Sequence, residues 1–254
     1  MAKTPTAAPT ESVLHIEPLK QGVITLRIIG ETPLYQNRMA AKAKRTLLVG
    51  GQKKGKADRA QIKHSPEEEY RDSAEILSTG PTALGLKVIA IKAAMATAAL
   101  DTPGLRKTEA QRLLFMPGDH CALYGTPYLK MDVVRSADIN RTPDIRSRAY
   151  LPVWGAEVSI RFVTPQLSAQ SVVNLLCNAG ILVGVGDYRQ EKGKGSFGSF
   201  RVLGEGESDP AWDDLVANHA RAAQEEALRN PEYADSDTVD LMEYFHGEVK
   251  RRAA

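Results

Sequence analysis

Cysteine is scarce in this sequence, and so are tryptophan and histidine: two Cys, two Trp and five His occur in 254 residues. Cys121 and Cys177 stand far apart and in no ligand-like spacing. That excludes a disulfide framework and a cysteine-based metal site, and it leaves two buried free thiols of a reducing compartment. The histidines are scattered, so no metal is expected either. No apolar run reaches the length of a membrane span, and no signal-peptide core opens the chain. These absences point to a soluble, cytoplasmic protein without membrane contact. Neither a GxxxxGK[ST] loop nor a strand–GxGxxG–helix unit occurs, so nucleotide-cofactor folds are excluded and no cofactor is expected.

What is present is an ordinary globular composition, 43% hydrophobic and 25% charged. The net charge of +2 conceals a strong asymmetry. Residues 1–203 carry 28 Lys and Arg against 18 Asp and Glu, whereas residues 204–254 carry 5 against 13. A basic body with an acidic tail is the pattern expected of a protein that meets a polyanion. Residues 1–12, rich in Pro, Thr and Ala, read as a disordered start. Residues 13–203 read as one basic α+β domain, and 204–254 as an acidic helical tail.

Along the chain, Ile24, Leu26 and Ile28 alternate with Thr25, Arg27 and Ile29, the period of a half-buried strand that Gly30 and Pro33 end. Residues 37–72 read as a basic insertion. Lys42, Lys44, Arg45, Lys53, Lys54 and Lys56 lie there beside a single acid before position 65, Asp58, with glycines between them. Residues 86–100 begin as a strand and continue as an Ala-rich helix with Ile91, Met95 and Ala98 on one face. Residues 101–156 are broken by Pro and Gly and carry an arginine series: Arg135, Arg141, Arg146 and Arg148. Val158, Ile160 and Phe162 then alternate as a second strand. Ser168 is the expected cap of the helix that follows, and Gly180 its expected C′ stop. In the tail, Asp209-Pro210 begins a helix expected to run to Asn230, with Trp212, Leu215, Val216, Ala220 and Ala223 at helical spacing. Ser236 begins another, with Leu241, Phe245 and Val249 along one stripe.

The most informative stretch is 184–200. Gly184, Gly186, Gly195 and Gly198 alternate with Tyr188, Arg189, Lys192, Lys194 and Phe197. Glycines let backbone amides approach an anion, cations neutralise phosphates, and aromatic rings stack on bases. The stretch is expected to project as a loop with its amides facing phosphate and with Tyr188 and Phe197 partly exposed.

Three segments resemble, in order, the RAMP superfamily, the RNA-binding proteins of CRISPR effector complexes. ITLRIIGETPL is like the family's first strand. LKVIAIKAAMATAA is like its strand-to-helix element, in which a lysine enters the first helix, making Lys92 the analogous position. LLCNAGILVGVGDYRQEKGKGSFGSFRV is similar to its second helix, glycine-rich loop and closing strand. The order of a KAAM helix, Gly118-Asp119, DIRSRAY and GVGDYR is also similar to that of uncharacterised bacteriophage proteins. The resemblance implies an RRM/ferredoxin-like core and a non-catalytic protein that binds RNA or single-stranded DNA and can line up as a homo-oligomer along the strand. Two alternatives stay open. One is a RAMP-type endoribonuclease, for which His15, His64 and His120, or Asp132 and Asp138, are the available residues, none of them visibly paired. The other is an anti-defence or replication-accessory protein whose acidic tail takes a protein partner.

Overall fold

The structure, a computed structural model, describes residues 18–39, 44, 48, 65–135, 143–192, 195–204 and 206–253. The expected disordered start therefore lies outside the described residues, as does most of the basic insertion.

The chain is α+β, built on two antiparallel sheets. The larger runs in the order β3 (Leu84–Lys87), β5 (His120–Tyr124), β8 (Gly155–Thr164), β1 (Lys20–Gly30) and β9 (Phe200–Leu203), with the short β4 (Leu114–Phe115) also pairing with β8. The β1–β8 register sets Leu26 opposite Val158, Ile28 opposite Ala156 and Ile24 opposite Ile160. Alternation along both strands sends this set to one face. There it meets Ile91 and Met95 of α2 (Val88–Ala98) and Val172 and Leu176 of α4 (Ala169–Leu182) in one continuous core. The other face shows Thr25 opposite Ser159 and Arg27 opposite Glu157. The smaller sheet joins β2 (Leu34–Tyr35), β7 (Pro143–Leu151) and β6 (Tyr128–Arg135).

Local signals explain most of these elements. Ser168 caps α4, its hydroxyl accepting from the Ser171 amide, as expected. Gly180 does not stop that helix, which continues to Leu182. A Cβ at Gly180 would lie 2.0 Å from the Phe200 carbonyl oxygen, so this glycine is where α4 crosses β9 backbone to backbone. The insertion also ends earlier than expected. Pro66–Ser73 forms α1, packed on β7, and Tyr70 is fully buried. The Tyr70 hydroxyl lies 3.1 Å from both the Pro127 and Ala227 carbonyls. An amphipathic turn opened by a run of three glutamates reads as polar in one dimension, but its single aromatic anchors it in the core.

The acidic tail is three helices rather than two: α5 (Pro210–Asn218), α6 (Arg221–Arg229) and α7 (Ser236–Ala253). Asp209 caps α5 from the Ala211 amide and Ser236 opens α7, as expected. The single helix expected over 210–230 is broken after His219, whose backbone leaves helical geometry. The break allows Gln224 to enter the body. Its fully buried amide accepts from the Ala83 and Leu84 amides and donates to the Leu123 and Gly125 carbonyls. Trp212 packs with Ile29 and Leu203 on the polar face of the large sheet, and Tyr124 lies against them. On α7, Met242 joins the main core, and the Thr238 hydroxyl accepts from the Met131 amide. The tail is thus covalently distal but packed as part of the body.

Candidate nucleic-acid interface

The glycine-rich segment leaves α4 at Val183 and folds back against β2. Gly184, Gly186 and Gly198 have φ of +72°, +83° and +73°, and Tyr188 also lies in the left-handed region at +52°. A Cβ on Gly198 would sit 1.8 Å from the Val185 carbonyl oxygen, and one on Gly195 would sit 1.9 Å from that of Tyr188. The segment's amides are correspondingly engaged. Val185 donates to Gly198, Asp187 to Tyr35, Gly198 to Pro33 and Phe197 to Tyr188. This corrects the expectation of a projecting loop with those amides turned to a ligand: the glycines serve close packing of the loop on itself.

An arginine holds the loop in place. Arg148, expected to face phosphate, is 1% exposed. Its guanidinium donates to Asp132 and to Asp187, both at 2.8 Å. The group is stacked between the rings of Tyr35 at 4.6 Å and Tyr188 at 4.4 Å. Burial opposes its charge, but the two carboxylates and Tyr188 outweigh that and hold its pKa above the ordinary value. Asp187 also accepts from Asn37, and Phe197 packs edge-on against Tyr35. The charge of Arg148 is consumed inside the fold, because two acids and two rings leave it no solvent face. Tyr188 and Phe197 are half-buried, in keeping with the partial exposure expected.

Between this loop and the start of α2 lies a cleft of about 390 Å³. Small residues of α2, Ala90, Ala93 and Ala94, leave its floor open, and Arg38, Lys87 and Arg189 reach its rim. Each of these cations meets an acid. Arg189 pairs with Glu191 at 2.9 Å, Lys87 with Glu75 at 2.6 Å, and Arg38 with Glu75 at 3.6 Å. His120 brings a third nitrogen to Glu75, at 3.3 Å. Burial raises the Glu75 pKa, but the Lys87 hydrogen bond and the charges of Lys87, His120 and Arg38 outweigh it, so the carboxyl stays below its ordinary range. Lys92 does not enter this cleft. Its ammonium lies 5.5 Å over the Phe115 ring in a second cleft, which Lys87 and His120 also line.

The remaining expected residues are dispersed. Arg135 and Arg146 are exposed on β6 and β7 of the smaller sheet. Lys44 is exposed, and Lys192 ends a short 3-10 turn, Gln190–Lys192. Lys42, Arg45, Lys53, Lys54, Lys56, Arg141 and Lys194 lie outside the described residues, as do His15, His64 and Asp138. Sequence reasoning missed Arg38, Glu75 and Lys87. Arg38 gave a signal as the first cation of the basic run and Lys87 as a cation at the strand-to-helix junction, while Glu75 gave none. It also missed the pairing of His120, whose partner is 45 positions away. Burial lifts the Cys121 thiol to about 12, and both cysteines are free. Among the described residues, no helix is long and apolar enough to cross a membrane, and no three His, Cys, Asp or Glu converge as a metal site. No protein-family model matches the chain, and no curated protein matches it.

Proposed function

We propose that this chain is a non-catalytic single-strand nucleic-acid-binding protein with a RAMP-like core of RRM/ferredoxin-like topology. The strand order β5–β8–β1–β9, with α2 lying between β1 and β5 in the chain and α4 between β8 and β9, supports the topological part. Two interleaved βαβ units are expected to give this antiparallel order. The observation that carries the functional part is the cleft between the glycine-rich segment and α2, rimmed by Arg38, Lys87 and Arg189. A groove with cations at its rim and half-buried aromatics alongside suits an unstacked, flexible strand better than a duplex. The basic excess of residues 1–203 supplies the long-range attraction. Gel shifts with single- and double-stranded RNA and DNA at two salt concentrations test the reading. A single-strand preference that weakens with salt is expected, and no shift with any of the four would overturn it.

One observation favours a second reading, an endoribonuclease: His120 is paired with Glu75 beside Lys87, a set able to hold and move a proton. Incubation of labelled RNA with the protein, with and without a chelator, separates the two. Intact RNA in both arms is expected from a binding protein.

A further inference from the structure

Two clefts meet at one side chain. Lys87 lines the glycine-rich cleft and also the second cleft, of about 560 Å³, where Phe115 and Lys92 stand. At this meeting point three basic groups from three places in the chain converge on one carboxylate. Arg38 follows β2, Lys87 ends β3, His120 begins β5, and Glu75 faces all of them. Lys87 and His120 are held side by side because they are register partners in the β3–β5 ladder. Glu75 is itself fixed from the backbone side, its amide donating to the buried Gln36 side chain. The carboxylate side chain is 15% exposed, while the Lys87 side chain is 49% exposed and turned to solvent at the junction. With Lys87 and Arg38 charged, the junction stays cationic after Glu75 is neutralised.

We propose that Arg38, Lys87 and His120 form a phosphodiester subsite, that Glu75 is its internal stand-in anion, and that the strand crosses from one cleft to the other there. This rests on the nucleic-acid-binding reading above and gives it a path. One nucleoside lies in the glycine-rich cleft, the linking phosphate lies on Lys87, and the next base lies against Phe115. The physical ground is that a carboxylate and a phosphate oxygen satisfy the same donors. Glu75 keeps the Lys87 and Arg38 charges converged beside His120 in the free protein, and an incoming phosphate competes with it for them. Phe115 is 42% exposed, an aromatic side chain available for a base to stack on. Lys92 over its ring adds a cation next to the strand.

The test uses the full-length protein, a labelled oligouridylate and a labelled oligothymidylate, with affinity measured by fluorescence anisotropy over a salt series. Binding of the wild-type protein with a negative salt slope establishes the underlying reading independently. On that background, K87A is expected to weaken binding and to reduce the magnitude of the slope by about 0.7, one phosphate contact of a single strand. E75Q is expected to bind more tightly, because it removes the competing charge while keeping the shape. F115A is expected to lose affinity for single strands while its salt slope stays at the wild-type value. Melting temperatures of the three variants show that they are folded. A folded K87A with the wild-type slope, or an E75Q that binds no more tightly than wild type, overturns the subsite. If the wild-type protein binds neither oligonucleotide, it is the functional reading that fails.

Discussion

Arg148 links β7, β6 and the glycine-rich segment through Asp132 and Asp187. Its Nε has no hydrogen-bond partner, while the rings of Tyr35 and Tyr188 cover the faces of the guanidinium. Truncating one member of a buried charged set strands the others, at a cost of about 3–5 kcal/mol. R148A is therefore expected to lose stability of that order in urea unfolding, and R148K to recover only part of it, because an ammonium neither forks nor stacks like a guanidinium. A protein unfolding at the wild-type midpoint would show that the latch contributes nothing. Glu75 gives a second residue-scale prediction, through pH. Its folded pKa is depressed, so its contribution is present above the unfolded value and is lost as pH falls through the folded one. The melting temperature of the wild-type protein is expected to fall more steeply than that of E75Q below about pH 4.3, the ordinary glutamate value. Parallel curves would contradict the depression. The glycines belong to the same scale. G198V is expected to disorder the segment itself, since it combines a φ of +73° with a Cβ 1.8 Å from a carbonyl oxygen.

Among the elements, those with a clean period and a cap were legible in the sequence. β1 and β8 showed alternation because one face is buried and the other wet, and α4 and α5 carried Ser168 and Asp209 as their caps. β5, β6 and β7 were not legible. β7 is interrupted by the buried polar pair Ser147 and Arg148, the partners of Arg148 lying on other elements, and β5 and β6 have only one or two buried positions each to mark a period. The same reason hid α1, whose Tyr70 is meaningful only beside Pro127 and Ala227. The glycine-rich segment was recognisable by composition, but its role was not. Whether a glycine meets a ligand or its own loop depends on a carbonyl that folding brings close. The tail shows what such long-range contacts imply. Trp212, Gln224 and Met242 are each buried against residues of the body. Removing residues 205–254 would uncover Ile29 and Leu203 and leave the Ala83, Leu84 and Met131 amides without their side-chain acceptors. W212A alone is expected to cost about 3–5 kcal/mol, the range for emptying a large aromatic site. Loss of cooperative unfolding in the truncated chain checks the same point. A truncated chain that unfolds as sharply as the whole would mean the tail is separable.

At the scale of the molecule, this packing changes what the charge asymmetry does. The tail helices are held on the described body through Trp212, Gln224 and Met242, so their acids are fixed against it. Asp209 grips Arg201, and Trp212 sits under the Arg27 guanidinium at 5.3 Å, so α5 covers one end of the open sheet face. On the single-strand reading proposed above, attraction between the protein and a polyanion is screened beyond about a Debye length, near 10 Å at 0.1 M salt. Affinity for single strands is accordingly expected to fall linearly in log K against log salt, by about 0.7 per phosphate neutralised. Neutralising exposed tail acids, by D237N, D240N and E243Q together, is expected to raise affinity at low salt and to leave it unchanged at high salt. These three residues line one end of α7 and take no part in the contacts that hold Trp212 or Gln224. Anisotropy titrations of the triple variant and the wild-type protein at both salt concentrations decide it. A gain that persists at high salt would point to a direct contact on α7, and no gain at low salt would show that the field of the tail does not reach the strand.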